Sequence, residues 1–197
     1  KRLNRIGLER QNVLTQPNTN PSDTELIQSC QKNNRTAFRL LYRRYQRRVR
    51  STLYQLCGES MLDDLVQEVF FRAWKGLPKL RKPKTFSTWL YRICWNVACD
   101  QRRAFAQLRE QNQILAQQEP SLNSADLNTM HYQQLVQQGL QALTFEQRAV
   151  IVLHDLEDVS QKEIAHILDI PTGTVKSRLF HGRKALRDFL EKQGVVL

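Results

Sequence analysis

The stretch 160–187 constrains the fold more than any other part of this sequence, because it predicts two helices joined by a tight turn. Ser160 can cap the first helix, and Glu163 can reach back to it in a capping box. Pro171 then interrupts the pattern, since the residue before a proline is pushed out of helical geometry. Thr172 can cap a second helix, so the sequence predicts a helical hairpin.

The second helix of this hairpin divides into two faces at the helical period. Its apolar face consists of Val175, Leu179, Gly182 and Leu186. Positions 176 to 187 hold five basic residues and no acidic one. This one-sided charge favours a helix-turn-helix, whose second helix enters the major groove of DNA, over an ordinary hairpin with a solvated basic face. Asp169 stands at the turn, where aspartate tolerates left-handed geometry.

The composition favours an all-α protein with a nucleic-acid partner. The 197 residues are 41% hydrophobic, with only 7 Gly and 6 Pro and few β-branched runs. The net charge of +11 implies an acidic partner, either nucleic acid or an anionic membrane surface. No apolar run approaches the roughly 20 residues of a membrane-spanning helix, and no apolar stretch follows the basic N-terminus. We therefore expect a cytoplasmic protein without a membrane span.

The residue types of catalytic and metal sites do not occur in the patterns that those sites need. Four cysteines, Cys30, Cys57, Cys94 and Cys99, form no CxxC pair and have no histidine at ligand spacing. Reduced, buried thiols are the favoured interpretation, with a redox switch as the unsupported alternative. There is no activated nucleophile and no phosphate-binding glycine loop, so we expect no catalytic residues, no metal and no cofactor.

The N-terminal half predicts a basic tail followed by a helical domain. Residues 1–20 are polar and predict a flexible tail. Residues 21–104 predict four helices, which begin near Ser22, Arg35, Met61 and Phe86, and Ser22 and Glu25 form a capping box at the first of them. Helical periodicity predicts the core residues of the third and fourth helices: Leu62, Leu65, Val66, Val69, Phe70 and Ala73, and Leu90, Ile93, Cys94, Val97 and Ala98. The second helix is coated with arginines, and their density indicates phosphate or an acidic partner surface; a merely solvated face is the alternative.

An acidic patch interrupts this basic half on the third helix. It consists of Asp63, Asp64, Gln67 and Glu68. The helix dipole accounts for the two aspartates, which lie in the first turn, but less well for the other two residues. The helix dipole alone therefore does not explain why Gln67 and Glu68 belong to the patch.

Aromatic and polar residues share one face of the fourth helix. Trp89, Arg92 and Asn96 lie at helical spacing beside the basic loop 77–85. Aromatic rings among arginine and asparagine suit unstacked bases and their backbone. The alternative is that Trp89 is an ordinary core aromatic, and for Trp95 this alternative is preferred.

The apolar pattern stops after the fourth helix. Residues 105–131 are rich in Gln and predict a flexible linker. A second domain, 132–197, begins with helices that include one capped by Thr144, and the hairpin completes it.

The two modules together resemble a known family. One contains DDLVQEVFFRAWK followed by TFSTWLYRICWNVACDQRR, and the other contains LTFEQRAVIVLHDLEDVSQKEIAHILDIPTGTVKSRLFHGRKAL. In this order they resemble bacterial sigma factors of the extracytoplasmic-function (ECF) group of the sigma-70 family, which have only domains two and four. The resemblance covers about residues 22–104 and 132–192.

The resemblance implies a function and a set of partners. Domain 2 (21–104) would bind core RNA polymerase and recognise and melt the −10 element, and domain 4 (132–197) would read the −35 element. The partners would be core polymerase, through its β′ coiled coil and β flap, promoter DNA that is duplex at −35 and single-stranded at −10, and an anti-sigma factor. The chemistry of RNA synthesis would remain with the polymerase.

The resemblance also assigns three groups of residues. Binding of the β′ coiled coil falls on Asp64, Gln67 and Glu68, with neighbours Leu65 and Phe70 in support. The −10 element falls on Lys79, Arg81, Lys82, Lys84, Phe86, Trp89, Arg92 and Asn96. The −35 element falls on Thr174, Lys176, Ser177, Arg178, Phe180, His181, Arg183 and Lys184. Within this last group Arg178 and Arg183 would face phosphates, and His181 stands where arginine is common in the family.

Two other classes of protein remain as alternatives. A stand-alone helix-turn-helix regulator that binds duplex DNA as a dimer would account for 132–192 but not for the acidic patch. An anti-sigma factor or adaptor would bind polymerase without reading DNA, and the basic second helix of the hairpin argues against it.

Overall fold

The computed structural model describes residues 21–112 and 129–195, with the side chains of 109–112 and 129–133 left undescribed. Over these residues the chain forms eight α-helices and no strand, which confirms the all-α prediction. The predicted tail, 1–20, and the middle of the predicted linker, 113–128, lie outside the described residues.

The first four helices form a bundle: α1 (Asp23–Gln31), α2 (Arg35–Cys57), α3 (Leu62–Gly76) and α4 (Phe86–Asn112). Ser22 caps α1 in the capping box with Glu25 that the sequence predicts. Asn34 caps α2 by accepting hydrogen bonds from two backbone N–H groups. The helix α4 continues past its predicted end at Ala104.

The core of this bundle consists of the apolar faces that the sequence predicts. The buried residues of α3 are Leu62, Leu65, Val66, Val69, Phe70 and Ala73. The buried residues of α4 include Leu90, Ile93, Cys94, Val97 and Ala98. Because both helices bury one stripe, their remaining faces are available for other contacts.

The last four helices form a second bundle: α5 (Thr129–Ala142), α6 (Phe145–Ile151), α7 (Gln161–Leu168) and α8 (Thr172–Lys192). Capping boxes at Thr144 and Ser160 confirm those two predicted helix starts. The prediction that Thr172 caps α8 is wrong, because Pro171 occupies the cap position and Thr172 is the first helical residue. Asp169 adopts the predicted left-handed backbone, with φ of 56°.

The absence of a side chain at Gly182 allows α8 to cross α6 closely. A Cβ atom at Gly182 would lie 2.8 Å from the Cδ1 atom of Ile151. Gly173, at the start of α8, has open space where its Cβ would be. The two glycines therefore differ in function: the first is required for packing, and the second is not.

The two bundles pack directly on each other through α4. The ring of Trp95 stacks on Phe145 of α6, with centroids 4.9 Å apart and planes at 20°. Trp95 is thus a packing residue, as preferred from the sequence, but its partner belongs to the other bundle. Arg102 also pairs with Glu146, at 3.0 Å, over the edge of this contact.

Two carboxylates of the second bundle accept hydrogen bonds from hydroxyls of the first. Glu157 accepts from Tyr91 at 2.6 Å and from Thr52 at 3.1 Å. Glu163 accepts from Thr88 at 2.9 Å. Burial raises the pKa of Glu157, and the hydrogen bonds from the two hydroxyls offset only part of this rise. The contact between the bundles therefore combines an aromatic stack with partly buried polar pairs.

Candidate DNA and polymerase interfaces

The acidic patch of α3 lies on the exposed side of the helix. Asp64 and Gln67 are exposed, and Glu68 is partly exposed. Glu68 forms an ion pair with Arg72, at 2.7 Å, and Arg72 also contacts Asp100, at 2.8 Å. The guanidinium of Arg72 thus orients Glu68 beside Asp64 and Gln67, for which no side-chain partner occurs among the described residues.

The apolar neighbours of this patch divide into buried and exposed residues. Leu65 and Phe70 are buried, so they support the patch from below. Phe71, in contrast, is 52% exposed, and the ammonium of Lys75 lies 3.9 Å from its ring centroid. The sequence reasoning did not single out Phe71, although its place four residues after Gln67 and outside the apolar stripe could have indicated it.

The basic loop between α3 and α4 presents all its cations to solvent. They are Lys79, Arg81, Lys82 and Lys84. The amide of Gln31, at the end of α1, donates to the carbonyls of Leu77 and Leu80, at 3.3 and 2.8 Å. These two bonds attach the loop to the bundle. Gln31 is a residue that sequence reasoning missed, since its role depends on a contact between distant segments.

The aromatic face of α4 is only partly available. Trp89 is half-buried, and its ring occupies the space beside Gly76, where a Cβ atom would lie 2.7 Å from the Cζ2 atom. Phe86 is 2% exposed and packs between the rings of Tyr45 and Trp89. The predicted DNA contact by Phe86 is wrong, because its ring is enclosed by the core. Phe86 instead supports the ring of Trp89.

The remaining two residues of that face are more accessible. Asn96 is exposed and Arg92 is partly exposed. They share a face of α4 with Trp89, and Arg92 also lies one turn from Thr88, which contacts the second bundle through Glu163. The structure therefore leaves Arg92 and Asn96 of the predicted −10 surface accessible. Of its two aromatic residues, only Trp89 has an exposed part.

The outward face of α8 is open. Six predicted −35 residues are exposed: Lys176, Ser177, Phe180, His181, Arg183 and Lys184. Thr174 and Arg178 are partly exposed. Phe180 is 67% exposed, and its ring meets that of His181 edge to face, with centroids 5.2 Å apart. The opposite face holds buried residues, so the helix is anchored on one side and free on the other.

Arg183 already has an acidic partner. Its Nε atom donates to Asp155 at 3.0 Å, and His154 contacts both of these side chains. Burial alone would raise the pKa of Asp155, but the hydrogen bonds from Arg183 and His154 outweigh it and lower the pKa. A phosphate at Arg183 would therefore share the guanidinium with this carboxylate.

The four cysteines are free thiols in this structure. Burial raises the pKa of both Cys30 and Cys57 to about 11. Among the described residues no cluster of three or more His, Cys, Asp or Glu side chains could hold a metal ion. In the same part of the chain no helix combines the length and the hydropathy that crossing a membrane requires.

These surfaces define a two-part DNA-binding protein of the transcription machinery. Residues 41–107 match the family model of Sigma-70 region 2, and residues 133–186 match that of Sigma-70, region 4. An ECF RNA polymerase sigma-E factor of Escherichia coli strain K12 is 32% identical over 176 residues, covering 84% of this chain and 92% of that protein. The chain therefore belongs to the ECF sigma factors of the sigma-70 family, and the two matches exclude a stand-alone regulator.

Solved structures agree with this assignment. CnrH, in complex with the cytosolic domain of CnrY, is 26% identical with a TM-score of 0.64, covering 86% of this chain and 97% of CnrH. The sigma factor RpoE of Bartonella quintana, in complex with the anti-sigma factor NepR, is 22% identical with a TM-score of 0.69, covering 78% of this chain and 96% of RpoE. The second of these likenesses concerns the fold alone.

Proposed function

We propose that this sigma factor binds core RNA polymerase through α3, reads the −35 element with α8, and holds the melted −10 element with α4 and the loop before it. The domains that do this are residues 21–104 and 132–197. The single observation that carries the proposal is the open face of α8, where basic and aromatic side chains stand above a helix side buried against α6. A helix with one buried face and one open basic face can enter the major groove of duplex DNA.

Docking on polymerase is assigned to the acidic patch because the patch is the exception to a basic bundle. Asp64 and Gln67 are exposed, so they can meet a basic surface without rearrangement of the core. Phe71 adds an exposed aromatic ring beside them, and such rings are common centres of protein interfaces. A basic coiled coil of the β′ subunit is the expected partner.

Reading of the −35 element is divided between two kinds of contact. Lys176, Ser177, Phe180 and His181 are assigned to base edges. Arg178 and Arg183 are assigned to phosphates, which position the helix but carry little sequence information. The pairing of Arg183 with Asp155 supports a positioning role, because a guanidinium fixed by a carboxylate points in one direction.

Melting at −10 is assigned to Trp89, Arg92, Asn96 and the cations of the loop. Stacking of a base on an aromatic ring is worth roughly 1–3 kcal/mol, which is comparable to the free energy needed to extrude one base. Because Phe86 supports the ring of Trp89 from inside the core, the platform is held rigidly. Rigid support favours stabilisation of an unpaired base once it has left the stack.

The remaining proposals concern partners and location. An anti-sigma factor is proposed as a regulator, since the similar proteins CnrH and RpoE were solved with CnrY and NepR. The chain is proposed to act in the cytoplasm and to contribute recognition and melting, with no chemical step of its own.

Run-off transcription with core polymerase, followed by mapping of start sites, tests the proposal. We expect promoter-specific transcripts only when both the chain and core polymerase are present. The matched variant is Gln67→Ala with Glu68→Lys, which should weaken core binding strongly while it lowers the stability of the free protein by only about 0.5–1 kcal/mol, because one exposed ion pair with Arg72 is replaced by a like-charge pair. Tight, specific binding of the chain alone to promoter duplex, with no effect of core polymerase, would contradict the proposal.

A further inference from the structure

The outward face of α2 carries three arginines for which neither the fold nor the proposed function has a use. They are Arg39, Arg43 and Arg47, and all three are exposed. The whole helix, Arg35–Cys57, contains seven arginines and no acidic residue. Among the side chains of residues 21–108 and 134–195, no carboxylate pairs with any of the three. We call Arg39, Arg43 and Arg47 the arginine stripe.

Other arginines of α2 show that the bundle does supply carboxylates where they serve the fold. Arg44 pairs with Asp23 of α1, and Arg50 pairs with Asp63 of α3. Both pairs connect α2 to a neighbouring helix. Arg50 lies on the same face of α2 as the arginine stripe, and it reaches Asp63 at the start of α3. The three residues of the stripe lie opposite the buried face of α2 and have no carboxylate partner among the described side chains, so their charge remains available to a ligand.

The spacing of the stripe suits a phosphodiester backbone. Its residues are four positions apart, which places successive guanidinium groups about 6 Å apart along the helix axis. This is comparable to the separation of neighbouring phosphates in an extended strand. Arginine binds phosphate oxygens with a planar pair of donors, which lysine cannot do. No exposed aromatic ring interrupts the stripe, so the contact would be independent of sequence.

The stripe is continuous with the loop assigned to the −10 element. Gln31 binds the backbone of that loop through the carbonyls of Leu77 and Leu80. The next residue, Lys32, is exposed, and so is Arg35 at the start of α2. A line of cations therefore leads from the loop over the end of α1 and onto the arginine stripe.

We propose that the arginine stripe binds the phosphates of the melted DNA strand where it leaves the −10 loop. This inference rests on the proposed function, because that function places the melted strand at the loop. A single strand can extend along a straight helix, whereas the phosphates of a duplex curve away from it. The stripe thus extends the DNA-binding surface of the first bundle by a sequence-independent segment.

Salt dependence of DNA binding by the holoenzyme tests this inference. The probe is a single-stranded oligonucleotide that carries the mapped −10 element and its flanks. For single strands the slope of log affinity against log salt is about 0.7 per phosphate contact, so Arg43→Gln with Arg47→Gln should lower its magnitude by about 1.4. Between 50 and 200 mM salt, the parent should then lose about sevenfold more affinity than the variant.

Two further variants control for charge and for folding. Lys162→Gln with Lys192→Gln removes two exposed charges elsewhere and should leave the slope unchanged. Arg43→Lys with Arg47→Lys keeps the charge and should keep most of the slope. Neutral methylphosphonate linkages, scanned along the flanks, should weaken parent binding at a few positions on one side of the −10 element and have no effect on the Gln variant.

Three results would overturn the inference in distinguishable ways. An unchanged slope in the Gln variant would mean that the stripe is a solvated face. Weaker binding of core polymerase with an unchanged slope would mean that its partner is an acidic protein surface. The absence of promoter-specific transcripts from the parent would remove the proposed function as well, whereas the first two results would leave it standing.

Discussion

The two helices assigned to DNA differ in how much of their reading face the fold leaves free. On α8, Phe180 is 67% exposed and stands above a separate buried face. On α4, Trp89 is half-buried against Gly76, and Phe86 beneath it belongs to the core. Under the proposed assignments, the side chains that read duplex DNA stand outside the packing of α8, whereas those that bind the melted strand also hold the first bundle together.

The opposite sides of the two helices differ as well. Tyr91 and Trp95 of α4 contact the second bundle, through Glu157 and Phe145. The buried side of α8 packs on α5, α6 and α7 of its own bundle, as at Gly182 against Ile151. Any change in the contact between the bundles should therefore affect α4 before it affects α8.

The largest expected effect concerns the aromatic support of α4. Phe86→Ala should lower the free energy of unfolding by about 3–5 kcal/mol, because it removes a fully buried ring. Urea denaturation of the free protein measures this. A loss below about 1 kcal/mol would show that the ring is not part of the core, and the contrast with α8 would fail.

The second prediction uses the two glycines of α8. Gly182→Val should destabilise the protein by about 1–3 kcal/mol, since its Cβ would overlap Ile151. The matched change Gly173→Val should be neutral or stabilise by less than about 1 kcal/mol, because the space there is open and valine has a higher helix propensity than glycine. Thermal unfolding of both variants provides the check, and equal losses would contradict the close crossing of α6 and α8.

The third prediction concerns the exposed ring of α8. Phe180→Ala should change the free energy of unfolding by less than about 0.5 kcal/mol and weaken binding of the −35 element by about 1 kcal/mol. Holoenzyme binding to promoter duplex and urea denaturation measure the two quantities. If stability fell and binding did not, Phe180 would be a packing residue like Phe86.

The smallest expected effect is the pH dependence of the contact between the bundles. Because burial raises the pKa of Glu157 when the bundles are packed, protonation favours the packed arrangement. Its stabilising contribution is complete below the ordinary pKa of a glutamate and is lost as the pH rises through the raised value. Fluorescence energy transfer between labels on the two bundles should therefore increase as the pH falls from 7.5 towards 4.5, the ordinary pKa of the carboxyl.

A matched variant separates Glu157 from its charged neighbours. Glu157→Gln keeps an acceptor for Tyr91 and Thr52 but cannot titrate, so its energy transfer should be independent of pH in this range. Arg48 and Asp158 also act on the carboxyl and remain in the variant. A pH dependence that persists in Glu157→Gln would assign the effect to another group.

Local rules predicted most of the fold. The capping boxes at Ser22, Thr144 and Ser160 were found because cap and partner lie three residues apart in the sequence. The cap of α8 was misplaced by one residue, since a proline at the cap position leaves no side-chain hydrogen bond to recognise. Helical periodicity placed the core residues of α3 for the same local reason.

Contacts between distant segments were not predictable in this way. Periodicity shows that Phe86 begins a helix, but not that Tyr45 covers its ring. The bonds from Gln31 to the loop join residues that are more than 40 positions apart. The DNA and polymerase roles of the site residues remain predictions, because they depend on partners that the sequence does not contain.

The packing of one bundle on the other has a consequence for promoter affinity. Both α4 and α8 pack on α7, and packed helix axes lie 8–10 Å apart, so the two reading helices are within about 20 Å of each other. The elements they read are separated by roughly 25 base pairs, or about 85 Å of duplex. Both can be bound at once only when the bundles separate.

If the separated form were 1% of the population, apparent promoter affinity would be about 100-fold weaker than its intrinsic value. A partner that keeps the bundles apart would therefore strengthen promoter binding without touching any residue that contacts DNA.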